Sequence, residues 1–109
     1  MATIHDFDKI DLRVGRIVAA EGMAESSKLL SISVDLGEGA YRTILSGVAK
    51  AYLPEDLIDR NVIVVANLEP KLIAGIESDG MLVGIEQGKD GRPALIFVSG
   101  DLKPGSKLS

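Results

Sequence analysis

Four cations and one short segment carry the residue types that could hold a ligand. Lys28, Arg42, Lys50 and Lys71 are spread along a chain of formal net charge −4, and the segment NLEPKLIAGIESDGMLV at 67 to 83 adds Ser78 and Met81, three residues apart. Ammonium and guanidinium groups bind phosphate oxygens. A serine hydroxyl offers a donor and an acceptor to a ribose or phosphate, and a methionine thioether offers a soft apolar surface to a base face. Plainer readings compete with each. Any one lysine or arginine taken alone is first a solvated side chain, serine commonly closes a turn, and methionine commonly fills a core. Spacing alone favours those plainer readings, so binding chemistry depends on whether the fold gathers the groups.

Other chemistries lack material. His5 is the only histidine and there is no cysteine, which leaves nothing for a Ser/His/Asp arrangement, a thiolate nucleophile, a disulfide or a histidine or thiolate metal site. The pair Asp6 and Asp8 reads as a helix-start or turn signal. Glu55 with Asp56 reads as compensation of a helix dipole, and general acid/base work is the weaker reading for both pairs. No glycine cluster forms a phosphate-cradling loop or a dinucleotide fingerprint; SGVAK at 46 to 50 and GIESDGM at 75 to 81 are better explained as turns. No cofactor and no metal are expected, and no enzymatic activity.

The charge balance narrows how nucleic acid could be held. With 16 acidic residues against 12 lysines and arginines, the average field repels phosphate, so binding must use a local patch. Four aromatics, Phe7, Tyr41, Tyr52 and Phe97, are too few for the stacking platform of a general single-strand binder.

The elements that must position these groups read as strands. In a chain of 109 residues one domain over 1–109 is expected, and 46% apolar with 26% charged residues is globular composition. LRVGRIVAA at 12 to 20 alternates imperfectly and reads as a bent strand in which Gly15 permits a bulge or a close backbone approach. Leu30, Ile32, Val34 and Leu36 share one face of KLLSISVDL at 28 to 36, GEG turns the chain, and AYRTILS completes a hairpin over 29 to 46. Pro54, Glu55 and Asp56 suit the first turn of a short helix over 54 to 58. VIVVA at 62 to 66, MLVGI at 81 to 85 and ALIFV at 94 to 98 read as further strands, with GKDGR a glycine-rich turn between the last two. A small barrel with a helix inserted between its third and fourth strands is the pattern of the OB-fold, a five-stranded Greek-key barrel whose loops and exposed face bind oligonucleotides. Lys28 and Arg42 would lie on the hairpin, and Lys50 and Lys71 in the connections flanking 62 to 66.

KLL at 28 to 30, RTILSGVAKAYLPEDL at 42 to 57, VIVVANL with a following proline, and GIESDGMLV closely resemble the tRNA-binding OB-fold family, over nearly the whole chain from about Phe7. That family includes free-standing dimeric tRNA-binding proteins, the C-terminal appendix of many methionyl-tRNA synthetases and an export-associated chaperone-like relative. The resemblance implies an all-β, five-stranded barrel extended by terminal segments that pair two subunits, with the tail after residue 86 at the interface. It implies recognition of tRNA by folded shape, by Lys28, Arg42, Lys50 and Lys71 on phosphates, with Ser46, Asn67, Ser78 and Met81 also at matching positions and Asn67, Ser78 and Met81 shaping the groove. Many relatives carry adjacent basic residues after the proline, whereas this chain reads Glu69, Pro70, Lys71, Leu72, which implies fewer phosphate contacts and a shallower salt dependence.

The expectation is therefore a non-catalytic, structure-specific tRNA-binding homodimer, free-standing or accessory to an aminoacyl-tRNA synthetase. The alternative is a chaperone-like module of the same fold that binds unfolded proteins and has weak RNA affinity. The start of the chain has neither a signal-peptide pattern nor an apolar run of bilayer length, so no membrane partner and a cytoplasmic location are expected. Met1 and the compact ends fit a complete small protein.

Overall fold

The computed structural model describes residues 1–87 and 89–109, with no side chain described for Lys89. Gly88 of the expected turn GKDGR lies outside the described residues. Strand β1, Leu12–Met23, is longer than the sequence pattern indicated and turns through Ala24 and Glu25 into β2, Ser26–Asp35. Leu30, Ile32, Val34 and Leu36 all point into the core, as a period of two demands. β2 then pairs antiparallel with β3, Arg42–Ser46, in a register running from Leu30 opposite Ser46 to Val34 opposite Arg42.

Gly15 is a point of close approach. A Cβ there would lie 2.5 Å from Val34 Cγ1 and 2.8 Å from Val64 Cγ2, so both valines pack directly over the β1 backbone. The irregularity that bends β1 falls further along, where the register with β2 slips between Ile17 and Ala19. Before that slip, Leu12 to Arg16 pair with β4, Asn61–Val65. The other side of the same stretch is covered by the chain's own tail: Gly105 N–H donates to Val14 O at 2.7 Å, Val14 N–H to Ser106 O at 2.8 Å, and Leu108 N–H to Leu12 O at 3.0 Å.

The main sheet runs β3-β2-β1-β4-β7, with β7 the short strand Met81–Leu82. Its inner face holds one cluster built on Ile17, Leu30, Ile32, Val34, Ile44, Leu57, Val62 and Val64. This is a mostly β fold of OB type, but the five-stranded sheet does not close into the expected barrel: its hydrogen-bonded ladder is open between the outer strands β3 and β7. Beside that seam sits a hairpin of β5, Lys71–Ile73, and β6, Ile76–Ser78, around Ala74 and Gly75 with φ of 49° and 80°. Two short strands, β8 Gly84–Ile85 and β9 Ala94–Leu95, form a separate ladder.

Three elements differ from the sequence reading. The strand placed over 81 to 85 is broken at Val83 into β7, which pairs with β4, and β8, which pairs with β9. The helix placed between the third and fourth strands is a single 3-10 turn, Pro54–Asp56. Leu53 gives it no side-chain cap, and Asp59 at φ 66° reverses the chain, with its N–H committed to Ile17 O at 2.8 Å. The strand placed over 94 to 98 is regular only at Ala94–Leu95 and continues as one bridge between Phe97 and Val62. An additional helical turn, α1 Ile4–Phe7, is nucleated by a reciprocal capping box between Thr3 and Asp6. Among the described residues no helix is long and apolar enough to cross a membrane.

Candidate nucleic-acid interface

The open edge of β3 organises the candidate site. Leu45 N–H donates to Ser78 Oγ at 3.0 Å and Asp79 N–H donates to Thr43 O at 2.9 Å, so the end of β6 is fastened to the strand that carries Arg42 and Ser46. Ser78 is 4% exposed. Its hydroxyl oxygen therefore serves the seam between β3 and β6, a long-range bond in place of the local turn closure expected of a serine, and little of the side chain reaches the groove surface.

Met81 lies exposed between two depressions. On one side Leu45, Leu68, Ile73, Lys71 and Ser78 line an apolar groove beneath the hairpin. On the other, Ser46, Val48, Ile85, Pro93 and Leu95 line a more open one. Four of the eight expected residues, Ser46, Lys71, Ser78 and Met81, are thus brought together around one thioether.

Two lysines flank this centre. Ser46 is opposite Leu30, two residues beyond Lys28, and the Lys28 carbonyl accepts from Ala49 N–H at 3.1 Å, which sets Lys28 beside the loop bearing Lys50. Lys71 is opposite Ser78 in the hairpin. All three lysines are exposed, and none makes an ion pair among the described residues. Glu69 lines the same groove as Lys71, and Glu77 is opposite Leu72, so the patch is cationic only locally.

Arg42 and Asn67 are differently placed. The Arg42 guanidinium donates from Nε and Nη2 to Glu38 at 2.9 and 2.8 Å and from Nη1 to Ala66 O at 2.6 Å, with Asp79 at 3.8 Å. Its charge is neutralised within the chain. The hydrogen bond from Arg42 holds the Glu38 carboxyl below the usual glutamate range, and the same bond raises the already high arginine pKa. Asn67 spends its amide on the N-terminal segment, accepting from Asp11 N–H at 2.9 Å and donating to Lys9 O at 2.7 Å.

The hairpin and its apolar walls escaped the sequence reading. Leu68 is exposed in the groove with Met81, and the available signal was Ala-Gly set between LI and IES, a two-residue turn between short extended pieces. Among the described residues, no three His, Asp or Glu side chains gather as a metal site.

Comparison with known proteins follows the same lines. The family model described as "Putative tRNA binding domain" matches residues 12–107. Methionine–tRNA ligase of Myxococcus xanthus is 48% identical over 103 residues, 94% of this chain and 14% of that protein. The enzyme of the same name from Thermotoga maritima is 44% identical over 107 residues, 98% of this chain and 16% of that protein. The chain thus spans about a seventh of the curated relatives it matches. Among solved structures, the MetRS related protein of Pyrococcus horikoshii superposes with a TM-score of 0.90 at 34% identity, covering 100% of this chain and 98% of that one. The chaperone CsaA of Bacillus anthracis gives 0.86 at 32%, covering 100% and 99%.

Proposed function

The chain belongs to the tRNA-binding domain family, and from that premise we propose that it is a non-catalytic module that holds folded tRNA on the lysines around β3 and acts as a homodimer. The observation that carries this reading is the placement of Lys28, Lys50 and Lys71, exposed and without ion-pair partners among the described residues, around the end of β3 that carries Ser46, with Met81 of β7 beside it. Phosphates supply the affinity of such a surface, and its contour selects a folded RNA over an extended one. Few aromatics and a local rather than global positive potential favour shape over base identity. The module acts in the cytoplasm, alone or joined to an aminoacyl-tRNA synthetase, where a second copy or a linked enzyme raises effective concentration and compensates for a weak single patch.

Electrophoretic mobility of folded and heat-unfolded tRNA across a salt series tests this. Retention of folded tRNA at low salt, lost in Lys71→Glu, is the expected result. Migration no different from that with an unrelated acidic protein would end the proposal.

A second reading has its own observation. The groove under the hairpin is walled by Leu45, Leu68, Ile73 and Met81, an apolar surface suited to extended peptide, and CsaA of Bacillus anthracis is called a chaperone. Peptide-array binding together with tRNA retention unaltered by Lys71→Glu would favour that reading.

A further inference from the structure

Two kinds of partner hold the Arg42 guanidinium. Nη1 donates to the Ala66 carbonyl, a backbone contact that fixes the group in place. Nε and Nη2 form the outer fork, and both donate to one carboxylate, Oε1 and Oε2 of Glu38. The two oxygens of that carboxylate stand where two non-bridging oxygens of a phosphodiester would stand on the same fork, because the guanidinium edge accepts either group with the same parallel geometry. The Arg42 side chain is 18% exposed and that of Glu38 is 45% exposed, so the carboxylate covers the fork from the solvent side. Glu38 rides on a turn between Gly37 and Gly39, whose φ of 74° and 86° are angles that glycine adopts without strain.

We propose that the Nε and Nη2 edge of Arg42 is a phosphate subsite of the RNA face and that Glu38 is its internal occupant, displaced by a backbone phosphate when RNA binds. The inference rests on the tRNA-binding reading above and adds to it a residue that sets affinity. With Glu38 present, a phosphate at this edge exchanges one anion for another, and Asp79 remains nearby. The contact then contributes little. Without the Glu38 charge, the same phosphate meets an unpaired guanidinium already oriented by Ala66, and one more counterion is released from the RNA.

Glu38→Gln tests this in the whole chain, alongside Arg42→Gln and the double variant. Equilibrium binding of folded tRNA is measured from about 50 to 200 mM salt. Glu38→Gln is expected to bind more tightly at low salt, with a slope of log K against log salt steeper by about 0.7 to 0.9, which is roughly a threefold larger loss across that range. The double variant should fall back to Arg42→Gln. Wild-type affinity and slope in Glu38→Gln would overturn the inference, as would a gain that survives in the double variant. Independently of tRNA, the Arg42 Nε–H resonance is followed by NMR during titration with dimethyl phosphate. It should shift in Glu38→Gln and stay still in the wild type, and no shift in Glu38→Gln would overturn the inference. Loss of the tRNA reading alone would appear as no tRNA retention by any variant while the phosphodiester still moves that resonance.

Discussion

Leu45 and Ser78 are 33 residues apart in sequence and joined by one hydrogen bond of 3.0 Å, from the Leu45 N–H to the Ser78 hydroxyl oxygen. Together with the bond from Asp79 N–H to Thr43 O, it fastens the outer edge of β3 to the end of β6 where the ladder of the main sheet is open. Both residues are buried, so water cannot stand in for the hydroxyl.

Ser78→Ala should therefore cost more than loss of a surface hydroxyl. The Leu45 N–H would remain buried without a partner, a penalty of about 1 to 3 kcal/mol. Urea unfolding should show that loss as a lower midpoint at unchanged slope. A change below about 0.5 kcal/mol, the scale of ordinary surface substitutions, would mean that the seam is held by packing alone.

The Glu38 and Arg42 pair predicts a pH dependence whose sign follows from the direction of the shift. Arg42's hydrogen bond lowers the Glu38 carboxyl in the folded chain. Its contribution is therefore present above the unfolded glutamate value of about 4.3 and is lost as pH falls through the lower folded value. Because Glu38 is 45% exposed, solvent screening limits the contribution to about 1 kcal/mol or less. Unfolding of the wild type and Glu38→Gln, compared from neutral pH down to about pH 3, should show a small wild-type advantage that shrinks with acidification. An advantage independent of pH would assign it to packing instead.

The core was legible in the sequence because its signal is local. Leu30, Ile32, Val34 and Leu36 alternate with Ser31, Ser33 and Asp35, and one buried face follows from a period of two. The close approach at Gly15 was legible in kind, but the neighbours that require it, Val34 and Val64, come from two distant strands. The site was legible only as residue types. Whether a cation is free depends on partners the fold supplies: Glu38 is four residues from Arg42 and was not read with it, while Asn67 reaches the carbonyl of Lys9 across 58 residues. No pattern in a linear chain marks Arg42 as neutralised and Lys71 as unpaired. The hairpin over 71 to 78 was hidden for a related reason, since strands of three residues are too short for alternation to register.

The proposed homodimer makes three exposed apolar side chains of the N-terminal segment testable. Ile4, Phe7 and Ile10 are all exposed in the single chain, and α1 buries none of its residues. The hydrogen bonds of Gly105, Ser106 and Leu108 to β1 are made within the chain, so the tail completes its own subunit and a partner would add to this surface without replacing it. Covering exposed apolar side chains by a two-fold-related copy removes them from water twice over, which is how an isologous interface gains from a few residues. Phe7→Glu should leave the fold intact, because Phe7 contributes nothing to the core, while placing two like charges into that contact. Light scattering behind size exclusion is expected to show the mass of two chains for the wild type and one for Phe7→Glu, with weaker tRNA retention as the second site is lost. A wild-type mass of one chain would remove the dimer from the proposal, and an unchanged mass in Phe7→Glu would move the contact away from α1.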